Sequence, residues 1–201
     1  MSTILCIDTA SETFALALDI DGTMTSYDAA AEQDHSRRLL PAIKELAGER
    51  KLQAILVVIG PGAYAGLRVG IATAQGLSLA RGIPVYGIGT LEAVALACGN
   101  QGSFTAIQPA GRGTFAAQDF HGSSAHGPAR VSEPWDLSGA IAGEGAGALG
   151  GVEIGARQRC EAALRDRGPK ISQGSLQPGA EAFYLREPSI TLSRRAARAA
   201  S

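Results

Sequence analysis

The chain has 201 residues, 18 basic and 19 acidic side chains and a formal net charge of −1, so no broad basic field speaks for a nucleic-acid surface. Cys6, Cys98 and Cys160 stand far apart without CxxC spacing, which points away from zinc and from a disulfide framework. The opening MSTILCIDTA has no basic segment or long apolar run, and nothing approaches the ~20 apolar residues of a membrane span; a cytoplasmic protein without membrane contact is expected.

Ile4 to Ile7 reads as an apolar strand ending at Asp8-Thr9-Ala10-Ser11. Phe14 to Ile20 and Thr23 to Ala29 flank Asp21-Gly22, a hairpin signal, so three antiparallel strands open the chain. Asp34 or Ser36 is placed to cap a helix carrying Leu39, Leu40, Ile43, Leu46 and Ala47, ended by Gly48. Pro41 inside that pattern predicts a kink or a late start. Ala54 to Ile59 is a buried strand, and Gly60-Pro61-Gly62 a tight turn. A helix from Tyr64 to Arg81 follows, stopped by Gly82 and Pro84. Val85 to Ile88 is a strand, and Thr90 is placed to cap a short helix, Leu91 to Cys98, with Glu92 near its positive end.

The order βββαβαβα describes a ribonuclease-H-like half, the building block of the actin, sugar-kinase and heat-shock-chaperone ATPases. The expected fold is therefore α/β with two such lobes, residues 1–100 and a reduced second lobe with a basic tail, 101–201. In the second, Phe104 to Ile107 and Thr114 to Phe120 read as strands joined around Pro109-Ala110-Gly111-Arg112-Gly113. His121 to Pro128 reads as a polar turn, with Ala129 to Val131 pairing back. A glycine-rich strand and loop occupy Ala140 to Gly151, and a helix runs near Ala156 to Arg165. Phe183 to Pro188 precedes a tail, Arg194 to Arg198, expected to be solvated.

Within the Tyr64 to Arg81 helix, Gly62, Gly66, Gly70 and Ala74 recur every four residues. An interior glycine costs about 1 kcal/mol against alanine, so close packing has to compensate. Two packings are open: the stripe lies on the chain's own sheet, or it meets a helix of another chain.

For chemistry the chain offers less. His35, His121 and His126 lack the i, i+4 spacing of a helical metal pair, and GxSxG is absent, so no metal site and no catalytic residue is expected. Asp8, Thr9 and Ser11 are candidates for a relic nucleotide site, Asp8 and Thr9 toward magnesium, with Gly143-Glu144-Gly145 as a phosphate-cradling loop. Asp119, Asp136 and Asp166 lack the glycine-rich context of a second catalytic carboxylate. An independent ATP-binding or ATP-hydrolysing enzyme of the sugar-kinase type is the alternative to a binding scaffold.

Three segments carry a resemblance: Ile7-Asp8-Thr9-Ala10-Ser11, His35-Ser36-Arg37-Arg38-Leu39-Leu40-Pro41, and the run from Gly60 through Glu92 to Ala93. Together with the ending Tyr184-Leu185-Arg186-Glu187-Pro188, they resemble the TsaB family, strongly over the first hundred residues and thinly beyond. The resemblance implies a non-catalytic partner of TsaD, which carries the metal and nucleotide and forms threonylcarbamoyladenosine (t6A) at position 37 of tRNA. It also implies TsaE, an ATPase, as a third component, a self-dimer when TsaD is absent, at most indirect contact with tRNA, and no cofactor of its own. Gln108-Pro109-Ala110-Gly111 departs from the aspartate-and-alanine turn that precedes the family's arginine, here Arg112. The expected partner face is Leu39, Leu40, Ile43 and Leu46 on the first helix with Gly66, Leu67, Gly70 and Ala74 on the second.

Overall fold

A computed structural model describes residues 2–30 and 35–185. Asp34 and the Arg194 to Arg198 tail lie outside the described residues. The first sheet holds β1 (Thr3–Asp8), β2 (Thr13–Ile20), β3 (Thr23–Ala30), β4 (Ala54–Val58) and β5 (Val85–Ile88), in the order β3-β2-β1-β4-β5. β1, β2 and β3 are antiparallel; β4 and β5 join parallel. Asp21 (φ 50°) and Gly22 (φ 86°) make the left-handed turn that suits a two-residue hairpin.

The two faces of this sheet alternate residue by residue. Leu5, Ile7, Leu16, Ile55 and Val57 face α1 (His35–Ala47) and α2 (Tyr64–Arg81) on the outside. Ile4, Cys6, Ala15, Leu56 and Val58 face inward, onto α4 (Ala156–Ser172). α3 (Thr90–Cys98) packs beside α4 and turns Leu91, Val94 and Ala95 toward the second sheet. The layers are thus outer helices, first sheet, inner helices, second sheet.

The second sheet contains β6 (Ser103–Pro109), β7 (Phe115–His121), β8 (Ser124–Ser132), β9 (Ile141–Gly143) and β10 (Val152–Glu153), in the order β10-β9-β6-β7-β8. Its order repeats the first with the strands renumbered, so both lobes are ribonuclease-H-like. Where the first lobe carries α1 and α2, the second has only 3-10 turns at Pro134–Asp136 and Gly147–Leu149. That is the reduction: Ile107, Ala117 and Ile141 are covered on that face by Ala146, Phe115, Leu137 and Leu149 rather than by long helices.

Four local expectations need correction. Thr90 is the first residue of α3 rather than its cap; extended Gly89 holds that position, and the Thr90 hydroxyl is buried without a partner among the described residues. The turn after β7 is tight, with Gly122 at φ 58°, so His126, Gly127 and Pro128 belong to β8. β8 is an edge strand, where proline's missing N–H costs no ladder bond. α4 runs on to Ser172, beyond Arg165, and α1 begins at His35, so Pro41, exposed to solvent inside it, does not mark a late start.

The chain's halves also interlock. α4 belongs to the second half yet covers β1 and β2 of the first. After it, the Gly179 N–H donates to Val85 O and the Phe183 N–H to Ile59 O, each at 2.8 Å, so the C-terminal segment returns along the first sheet. Gly60, at φ +113°, makes room for it: a Cβ there would lie 2.3 Å from Phe183 O.

Candidate partner face and interlobe cleft

The small-residue stripe of α2 points into its own lobe. A Cβ on Gly66 would lie 2.1 Å from the backbone oxygen of Thr9, and one on Gly70 the same distance from Thr9 Oγ1. The turn after β1 is therefore pressed against the helix, and the glycines exist to admit it. Leu39, Ile43, Leu67 and Ala74 are likewise core side chains, and Leu46 is half-buried against them. Six of the eight residues expected on the partner face, Leu39, Ile43, Gly66, Leu67, Gly70 and Ala74, are buried within this chain, where they hold α1 and α2 to the sheet, and Leu46 is half-buried. Leu40, 51% exposed, is the one that stands outward.

The solvent face of the same helices offers a different set. On α2, Ala65, Arg68, Ala72, Gly76 and Leu79 are all exposed, Leu79 at 89%. They recur at spacings of three and four, so they form one stripe along the helix. Beyond the helix's own local backbone, nothing comes within 4 Å of where a Gly76 Cβ would sit. This stripe is narrow, shallow and open, and a helix could approach it closely. Exposure was the missing signal: on a helix apolar on two sides, spacing alone does not tell which stripe faces the sheet.

At the other side of the first sheet a cleft of about 710 Å³ opens between the lobes. Pro61, Gly62, Ala63 and Tyr64 line it from the first lobe, Gln108, Pro109, Ala110 and Arg112 from the second. Tyr184 stands at its edge, its ring 5.0 Å from that of Tyr64, with the Arg68 guanidinium 5.5 Å from the Tyr64 centroid.

The floor of the cleft is a buried polar network centred on Arg159, which is fully inaccessible to solvent. Arg159 Nε donates to Asp8 Oδ2 at 2.7 Å. Its Nη1 donates to Gln108 Oε1 at 2.9 Å and to Glu144 Oε2 at 3.1 Å, and its Nη2 to Ser11 Oγ at 2.7 Å. Ser11 Oγ in turn donates to Glu144, and Gln108 Nε2 reaches Ala10 O, Ser11 Oγ and Glu144 Oε2. Burial works against the guanidinium's charge, but the facing Asp8 and Glu144 carboxylates outweigh it and hold its proton more tightly than in free arginine.

This network redefines the three residues expected at a nucleotide site. Asp8 is fully buried and turned to Arg159; its Oδ1 accepts from the Ala10 N–H at 2.9 Å. Thr9 is buried, and its hydroxyl has no partner among the described residues. Ser11 reaches the cleft wall but is engaged on every side. Gln108, in the turn that departs from the family pattern, is a member of the network. Arg159 was invisible in the sequence, since nothing distinguishes it from Arg157 or Arg165 on the same helix.

The histidines are dispersed. His35 Nε2 hydrogen-bonds the Ser11 carbonyl at 3.1 Å, tying α1 to the β1 turn, and His121 Nδ1 lies 3.2 Å from Ser103 Oγ. Among the described residues no group of three or more His, Cys, Asp or Glu side chains comes together, and no helix is long and apolar enough to cross a membrane.

A family model described as "TsaD: tRNA N6-adenosine threonylcarbamoyltransferase" matches residues 28–123. The chain is 35% identical over 97 residues to "tRNA threonylcarbamoyladenosine biosynthesis protein TsaB" of Escherichia coli (strain K12), a match covering 46% of this chain and 42% of that one. It is 36% identical over 100 residues to the protein of the same name from Haemophilus influenzae, covering 47% and 42%. The match thus spans less than half the length of these curated relatives. The solved structure of "YeaZ from Pseudomonas aeruginosa" superposes with a TM-score of 0.72 at 24% identity, covering 92% of this chain and all of that one, and carries the same fold.

Proposed function

We propose that the chain is a member of the TsaB family, to whose proteins it is similar at 35–36% identity, and that it is a non-catalytic subunit that binds and supports TsaD in forming t6A on tRNA. The observation that carries this reading is the exposed stripe Ala65, Ala72, Gly76 and Leu79, with Leu40 on the adjoining helix. These residues lie within the segment that matches the family model. Small side chains let a partner helix come close, and Leu40 and Leu79 provide apolar area to bury at its margins. Paired helices of TsaD facing α1 and α2 would make a four-helix contact. A second copy of this chain would use the same face when TsaD is absent, and TsaE would join the heterodimer as its ATPase.

The alternative, an independent ATP-binding or ATP-hydrolysing enzyme, requires metal and phosphate near Asp8. The engagement of Asp8 by Arg159 at 2.7 Å argues against it. Size-exclusion chromatography with light scattering, on the chain alone and mixed with TsaD of the same organism, tests the scaffold reading. A self-associated species that converts to a one-to-one complex is expected; separate elution of the two proteins would contradict it.

A further inference from the structure

The largest fully buried side chain in the described residues is a charged one, Arg159. Its surroundings come from both lobes: Asp8 and Ser11 from the end of β1, Gln108 from β6, and Glu144 from the loop after β9. All four present oxygen, and all four lie within 3.1 Å of a guanidinium nitrogen. An all-oxygen set with two carboxylates has the donor chemistry that hard divalent cations select. Here two negative charges meet one positive side chain.

We propose that the Arg159 guanidinium is a resident cation: it fills an oxygen cage assembled from both lobes, pins the lobes together and keeps divalent metal ions off the floor of the cleft.

The argument rests on geometry. A guanidinium offers five N–H donors in a plane, and this one bonds Asp8 and Ser11 of the first lobe and Gln108 and Glu144 of the second, with the Ile154 carbonyl at 3.5 Å from Nη1. Arg159 sits on the helix that covers β1 and β2, so it stays with Asp8; opening the cleft would strip it of Gln108 and Glu144 and break the bonds between the lobes together, which holds the lobes at one angle. The same donors point where a metal would need free lone pairs. Asp8 Oδ1 is already committed to the Ala10 N–H, and Glu144 Oε2 accepts from Arg159, Ser11 and Gln108. The oxygens that would ligate a metal on the cleft floor, Asp8 Oδ2 and Glu144 Oε2, are both held by Arg159. Arg157, two residues earlier, is exposed and pairs with Glu161 and Asp28 at the surface, so it serves as the control.

The test uses the full chain and Mn²⁺ as the probe. Arg159→Ala vacates the cage and leaves its oxygens; its melting temperature should fall by roughly 10 °C in metal-free buffer. Mn²⁺ titration followed by electron paramagnetic resonance should then reveal one site, at least tenfold tighter than any in the wild type. Millimolar Mn²⁺ should recover part of the lost melting temperature. Amide exchange in residues 143–146 and 108–111 should speed at least tenfold in Arg159→Ala and slow again with Mn²⁺, while Arg157→Ala changes neither. Asp8→Asn combined with Arg159→Ala should lose the Mn²⁺ site. A saturable wild-type site abolished by Asp8→Asn would overturn the proposal. So would equal Mn²⁺ binding by the single and double variants. If Arg159→Ala does not fold in metal-free buffer, the proposal requires Mn²⁺ to restore the fold, and failure to do so overturns it.

Discussion

Thr9 shows how one residue sets two others. Its backbone oxygen and its hydroxyl both project at α2, and only glycine at positions 66 and 70 leaves room. Because Ala is the better helix former by about 1 kcal/mol, Gly70→Ala would be stabilising on an open helix face. Here it should destabilise by roughly 1–3 kcal/mol through overpacking against Thr9 Oγ1. Thr9→Ala removes that oxygen, so Gly70→Ala in the Thr9→Ala background should be close to neutral, a coupling of at least about 1 kcal/mol by urea unfolding. Gly66→Ala is the internal control, since its Cβ meets backbone and Thr9→Ala gives no relief. A stabilising Gly70→Ala in the wild-type background would refute this packing. Glu161 provides a second residue-scale expectation. The hydrogen bond from Ser26 holds its carboxyl below the ordinary value of 4.5, against the upward push of burial, with Arg157 adding to the lowering. A lowered folded value means stability that is complete above that ordinary value and lost as pH falls through the folded one. Glu161→Gln should therefore be less stable than wild type at pH 7, and the difference should shrink as pH falls below 4.5 and through the lowered folded value. A gap that stays constant as the pH falls from 7 into the acid range would show that the charge is irrelevant.

At the scale of elements, the first lobe was legible almost to the residue. α2 and β5 have the expected bounds, and the first hairpin follows from Asp21-Gly22. Their signals are local: apolar runs, glycine and proline punctuation, helical spacing. What was not legible depends on contacts distant in sequence. Which side of α2 meets the sheet is decided by Thr9, more than fifty residues earlier. The length of α4 was hidden because its buried set, Cys160, Ala163, Leu164 and Ile171, alternates with arginines and includes one buried arginine. The cleft floor combines residues from positions 8 to 159, and no spacing rule connects them. The return of Gly179 and Phe183 to the first sheet left only one trace in sequence, the glycine at position 60.

Across the whole molecule, two sheets of the same strand order enclose α3 and α4. Inside, the cleft is closed at its floor by a buried ionic network; outside, α2 presents an exposed stripe of mostly small side chains, Ala65, Ala72, Gly76 and Leu79, interrupted by Arg68, with Leu40 on α1 beside it. We propose that TsaD docks on this outer stripe. Gly76→Leu tests it most directly, because the new side chain enters open space and should leave the monomer's melting temperature unchanged or slightly raised. Calorimetry with TsaD of the same organism should show affinity reduced at least tenfold, about 1.4 kcal/mol, because a facing helix is pushed outward. A Gly76→Leu protein that melts like the wild type and binds TsaD with undiminished affinity would contradict the account.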